Sequence, residues 1–152
     1  MKLTLHSDYS LRALLYLAYA EDKWVGTEEI SDSYGISKHH LVRVMQTLAE
    51  KGFITVKTGR SGGAKLAKAP KDIVIGEVVR HTEQSFRIVE CFEEETNTCP
   101  ILPMCGLRMV LVKALDAFLH ELDQYTLADL CTPKRRAQFF QIMQAAQEPA
   151  PE

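Results

Sequence analysis

The 152-residue sequence has no apolar run approaching the roughly 20 residues of a membrane-spanning helix. Its first six residues carry no long apolar core of the kind a signal peptide needs. Those two absences set the expectation of a cytoplasmic chain with no membrane partner. Also missing are a Ser/His/Asp constellation, a phosphate-binding loop and paired carboxylates, so no pattern points to an enzyme. No segment repeats, and no pair of cysteines stands at the C-x2-C spacing usual for zinc. Acidic residues are nearly absent from one stretch. From Ser37 to Lys71, Glu50 is the only acid, against eight cations: Lys38, Arg43, Lys51, Lys57, Arg60, Lys65, Lys68 and Lys71.

That stretch carries a net +7 inside a chain whose total is −2. The remainder holds 10 cations and 19 acids. A basic block in an otherwise acidic chain is the footprint of a phosphate-binding face, and the bland alternative is a solvated charged surface. Hydrophobic content of 46% and charged content of 25% are ordinary for a globular protein of one domain, or of a small domain with an appendage.

The order of elements favours the phosphate-binding reading. Ser7 or Asp8 can cap a first helix with Leu11, Leu14, Leu15, Ala18 and Tyr19 along one stripe. Thr27 then caps a short helix to Ser33, Gly35 makes a tight turn, and Ser37 caps a third helix over 38–51. Its apolar face is Leu41, Val44, Met45 and Leu48. A short helix, a glycine-containing turn and a capped helix form the helix-turn-helix pattern. A strand over 53–57, a turn Gly59-Arg60-Ser61-Gly62-Gly63 and a weak return strand over 64–67 make a hairpin with a cationic tip, the wing. In such a fold the start of the third helix faces base edges. Ser37, Lys38, His39, His40 and Arg43 are therefore the candidate DNA contacts. Arg60 suits a minor groove, Ser61 accompanies it at the wing tip, and Gly62 and Gly63 allow a close backbone approach or simply make the hairpin turn. His39 and His40 are adjacent on a helix and point about 100° apart, a poor arrangement for sharing a metal.

A short helix from Ile75 to Glu83 leads into residues 91–105, where three of the four cysteines sit at a C-x7-C-x5-C spacing: Cys91, Cys99 and Cys105. Prolines, an asparagine and threonines between them break both helix and strand. An ordered loop of this length needs a reason, and a bound metal or cluster is one. The spacing fits zinc poorly. An iron–sulfur cluster held by soft thiolates and a thiol redox switch both remain open. Cys131 lies outside the loop and is not counted with it. A long helix over 106–125 follows, with Leu107, Val110, Leu111, Ala114, Leu115, Phe118, Leu119 and Leu122 in a continuous stripe. One small winged domain cannot obviously cover that stripe, so it is read as a dimerisation helix. The alternative is packing back on its own domain.

Several runs together resemble the NsrR/IscR family of iron–sulfur winged-helix transcriptional regulators, and within it the nitric-oxide-sensing repressors. They are Asp8-Tyr9-Ser10-Leu11-Arg12-Ala13-Leu14, Tyr34-Gly35-Ile36-Ser37, Gly59-Arg60-Ser61-Gly62-Gly63, Ile75-Gly76-Glu77-Val78-Val79-Arg80, the three cysteines, and Leu122-Asp123-Gln124-Tyr125-Thr126-Leu127-Ala128-Asp129-Leu130. The resemblance implies a homodimer and a 4Fe–4S cluster held by Cys91, Cys99 and Cys105. It also implies a fourth ligand from an N-terminal aspartate of the other subunit, which falls on Asp8. The bland role for Asp8 is capping the first helix. Arg12 lies one turn away and could pair with Asp8 once the cluster is lost. Related cluster-assembly regulators carry a histidine two residues after the third cysteine's neighbour; here Gly106, Leu107 and Arg108 follow Cys105. That departure favours the nitric-oxide sensor.

The expectation is a mainly α protein with a small β-hairpin wing. Residues 1–72 would form the winged helix-turn-helix domain and 73–105 the linking helix and cysteine loop. Residues 106–146 would hold the dimerisation and C-terminal helices, and 147–152 a disordered tail. The expected function is a repressor bound to a double-stranded DNA operator while carrying its cluster, and released when nitric oxide nitrosylates it. Two alternatives stand beside it: a winged regulator sensing redox or iron–sulfur status through a 2Fe–2S cluster or thiols, and an iron–sulfur carrier or electron-transfer protein.

Overall fold

In the computed structural model the described residues are 2–59, 61–93 and 95–147. The elements run α1 (Leu5–Ala20), α2 (Thr27–Tyr34), α3 (Lys38–Glu50), β1 (Ile54–Lys57), β2 (Gly63–Leu66), α4 (Ile75–Thr82), α5 (Gly106–Asp123), α6 (Leu127–Leu130) and α7 (Pro133–Gln147). Three single 3-10 turns, Pro70–Asp72, Glu90–Phe92 and Leu102–Met104, punctuate the connections. This is the mainly helical architecture with a two-stranded wing that the pattern predicts. The expected tail lies outside the described residues from 148 onward, and Gln147 closes α7.

The core is built on α1. Ala13, Leu14, Tyr16, Leu17 and Ala20 are buried, and Leu41, Val44, Met45 and Leu48 of α3 join the same cluster with Ile75 and Val78 of α4. Each such side chain contributes about 1.5–3 kcal/mol on leaving water. The cap of α1 differs from the sequence expectation. Thr4, not Ser7 or Asp8, is the N-cap, and its side chain accepts a hydrogen bond from the Ser7 amide. Thr4 in turn donates to Glu83 just beyond α4. Ser7 is fully buried, and the Asp8 carboxylate pairs with Arg12 instead of capping the helix.

The helix-turn-helix closes at Gly35, in the left-handed region at φ 62°. The Ile36 amide donates to Ser31 O (3.0 Å), and the buried Ser31 hydroxyl donates back to Ile36 O (2.8 Å), so the turn is pinned from both sides. The wing pairs antiparallel, with Ile54 opposite Leu66 and Lys57 opposite Gly63.

Two short backbone pairings tie the far part of the chain to this core. Ile75 N donates to Tyr125 O (2.9 Å) and Leu127 N to Ile73 O (2.8 Å), across the bridge between Val74 and Thr126. Beside that bridge Arg80 grips Asp123 with both terminal guanidinium nitrogens, Nη2 at 2.7 Å from Oδ2. Gly76 permits it, because a Cβ there would run into the Asp123 carboxylate and the Arg80 guanidinium. Finally, α7 folds back on the helix-turn-helix. Phe139 stacks on Tyr19 (ring centroids 4.6 Å) and meets Tyr16 edge-on (5.5 Å), while Arg136 reaches Tyr19 O and Glu21.

Leu14→Ala should cost about 2–5 kcal/mol of unfolding free energy in urea titrations, since Leu14 is wholly enclosed. The hydrogen bonds from Arg80 hold the Asp123 carboxyl below its usual range. Stability from this pair is thus complete above the ordinary aspartate value of about 3.9 and is lost as pH falls through the lower folded value. Asp123→Asn should lower the melting temperature at pH 7, and the gap from the parent should shrink as the pH is taken down to about 3 and below.

Candidate nucleic-acid interface and cysteine loop

Burial of Leu41, Val44, Met45 and Leu48 turns the opposite side of α3 outward. Ser37, Lys38, His39, His40 and Arg43 are all exposed there. Lys38 is engaged: its Nζ donates to Glu28 Oε1 of α2 at 2.7 Å, and that bond holds the Glu28 carboxyl below its usual range. The rings of His39 and His40 lie 6.1 Å apart and tilted, and among the described residues they belong to no group of three or more ligands. His40 and Arg43 share an open cleft with Leu5, His6 and Tyr9 of α1. Val42 (40% exposed) and Gln46 lie on the same outward side and were not among the expected contacts. Helical spacing from His39 through Val42, Arg43 and Gln46 is the signal that would have found them.

At the wing tip Ser61 is exposed, and Arg60 lies outside the described residues. Gly62 and Gly63 have a reason within the fold. A Cβ on Gly62 would collide with Lys57 O, and one on Gly63 would stand 2.6 Å from Val25 O.

The cysteine loop begins and ends on 3-10 turns, Glu90–Phe92 and Leu102–Met104. Cys91, Cys99 and Cys105 are free thiols, each half-buried. Cross-ties link the chain segments that carry them. Glu90 Oε1 accepts from both the Thr98 amide (2.6 Å) and the Thr98 hydroxyl (2.7 Å), and these residues immediately precede Cys91 and Cys99. Arg108, in the first turn of α5 after Cys105, donates from Nε to Cys91 O at 2.9 Å. Asn97 Oδ1 accepts from the Cys99 amide at 3.3 Å. Among the described residues no group of three or more His, Cys, Asp or Glu is placed to hold a metal ion as it stands. The donor chemistry still suits an iron–sulfur group: three soft thiols on one tied loop, with no histidine among them.

Asp8 stands in the first turn of α1, half-exposed, with both carboxylate oxygens taken by Arg12: Nε to Oδ1 at 3.0 Å and Nη2 to Oδ2 at 2.7 Å. Cys131 is remote from the loop in sequence and half-buried near Tyr19, where burial pushes its thiol up.

Residues 3–133 match a family described as Rrf2, iron-dependent transcriptional regulator. Over 131 residues the sequence is 52% identical to the HTH-type transcriptional regulator NsrR of Bacillus licheniformis, covering 86% of this chain and 92% of that protein. The protein of the same name from Halalkalibacterium halodurans is 50% identical over 133 residues, covering 87% and 91%. Among solved structures, CymR, the global cysteine regulator of B. subtilis, matches with a TM-score of 0.69 at 25% identity, covering 86% of this chain and 95% of that one.

Glu90→Ala removes the acceptor of both Thr98 bonds. Alkylation of Cys91 and Cys99 by iodoacetamide in the metal-free protein should then accelerate several-fold while Cys131 keeps its rate, with mass spectrometry reading each site. Equal rates in variant and parent would mean that the ties do not order the loop.

Proposed function

The chain belongs to the Rrf2 family of transcriptional regulators, as a DNA-binding repressor rather than an enzyme, and on that premise we propose that it senses nitric oxide. In this reading it is a homodimer on a palindromic operator and carries a 4Fe–4S cluster on Cys91, Cys99 and Cys105, with Asp8 of the partner subunit as fourth ligand. It leaves the operator when nitric oxide reaches that group.

The observation that carries the reading is the cross-tied loop with three thiols, standing directly before an apolar helix whose first turns are exposed. Along α5 none of the residues is buried: Leu107, Met109 and Val110 are each more than three-fifths exposed, and Met104 beside Cys105 is 85% exposed. An apolar strip of that kind, continuous with the cysteine loop, suits a second copy of the chain. A carboxylate is a hard, weak partner for iron, so a cluster bound here would offer one iron open to attack by a small molecule. The chain supplies the competing partner for that carboxylate. Arg12 can hold Asp8 by two charge-assisted bonds, as it does here, so Asp8 has a second stable position away from any ligand role. Arg108 ties Cys91 to the start of α5, so rearrangement of the loop is passed to the helix that would join the two copies. A change in α5 alters the spacing of two α3 helices that must enter half-sites about one helical turn apart, or a multiple of it.

The electron-carrier alternative finds no support in relatives that are named as transcriptional regulators. Anaerobically purified, cluster-loaded protein should shift an operator duplex in a gel, and nitric oxide should abolish the shift as the visible absorption bleaches. Operator affinity that survives bleaching would sink the sensor reading and leave the DNA-binding assignment intact.

A further inference from the structure

The wing is anchored from an unexpected side. Between α1 and α2, Val25 exchanges both backbone hydrogen bonds with Ala64: Val25 N to Ala64 O at 3.0 Å, and Ala64 N to Val25 O at 2.8 Å. Residue 25 thus adds a one-residue third strand to the hairpin. Val25 is buried, so strand alternation turns its neighbour Trp24 to the outer face, where it is 36% exposed. The same alternation puts two lysines on that face. Lys65 lies opposite Thr55, and Lys57, two residues along from Thr55, lies opposite Gly63. Both ammonium groups converge on the indole, Lys65 Nζ at 5.1 Å and Lys57 Nζ at 5.8 Å from the ring centroid.

Two like charges are therefore gathered over one aromatic ring, and neither is paired with a carboxylate among the described residues. The indole face attracts each cation but does nothing to relieve the repulsion between them. An anion lodged between the two would. Both lysines lie within the +7 block, and Lys57 leads straight into the wing tip, so a duplex touched by that tip brings its backbone past this face.

We propose that Trp24, Lys57 and Lys65 form a clamp for a DNA backbone phosphate, with the lysines as the contacts and Trp24 as the positioning residue that holds them together. The inference rests on the DNA-binding reading and extends the interface from the third helix to the face of the wing that carries Trp24. Phosphate contacts carry no sequence information, so the clamp adds affinity without adding specificity.

The test is fluorescence anisotropy of labelled operator and random-sequence duplexes across a salt series, with the parent, a Lys57→Gln/Lys65→Gln double variant, Trp24→Ala and Trp24→Phe. Circular dichroism confirms that each variant is folded. The slope of log affinity against log salt should become shallower in the double variant by about 0.9 for each phosphate that is no longer neutralised, and by the same amount on both duplexes. Trp24→Ala should weaken both duplexes with a smaller change of slope, and Trp24→Phe should restore most of the affinity. Trp24 is the only tryptophan, so its emission reports directly: duplex should change it in the parent and leave it unchanged in the double variant. An unchanged slope in the double variant, with the operator still bound, overturns the clamp alone. A parent protein that binds no duplex at any salt overturns the DNA reading beneath it.

Discussion

Burial of α1 from several sides is the constraint on which the rest depends. Its apolar face holds α3 through Leu41, Val44 and Leu48, and the same core cluster takes in Ile75 and Val78 of α4 and Leu127 of α6. The third helix and α4, which leads into the cysteine loop, therefore share one support. Its N-terminal turn carries Asp8 and borders the cleft of His40 and Arg43 through His6 and Tyr9. A change in what Asp8 binds would occur on the helix that α3 packs against. Close packing leaves that helix little freedom to absorb a displacement locally.

Much of the helix-turn-helix and the wing was legible in the sequence, because each rests on a short-range signal. Gly35 had to end a helix, the stripe of Leu41, Val44, Met45 and Leu48 had one period, and β-branched residues flanked a glycine-rich turn. Features that depend on distant residues were not legible. Nothing near Thr4 says that it, rather than Ser7, caps α1; the choice is set by Glu83, which is far along the chain and holds Thr4 in place. The docking of α7 hangs on Phe139 meeting Tyr16, Tyr19 and Tyr34, a cluster drawn from three helices. A weakly amphipathic C-terminal helix gives no local hint of that contact.

The candidate sites divide along the same line. The three cysteines announce themselves by type and spacing, but the ties around them, Glu90 to Thr98 and Arg108 to Cys91, look like ordinary polar residues until the loop is closed. The Asp8–Arg12 pair was foreseeable because four-residue spacing on a helix is a local rule. Trp24 lay between two helices with no periodicity to mark it, and only the pairing of Val25 with Ala64 reveals what it supports.

The bridge at Val74 and Thr126 also bears on how such a chain can diversify. The stretch between α4, which is packed in the core, and α6 has its two ends brought together at a backbone crossing, through Ile75 to Tyr125 and Leu127 to Ile73. Insertions are best tolerated where a segment's two ends already meet, because the parent scaffold need not stretch to accept the new length. The outer part of this stretch, between the end of α4 and the start of α5, is where a change of length would be accommodated. A lineage could lengthen it, shorten it or change its thiols while α1, α3 and α4 kept their packing.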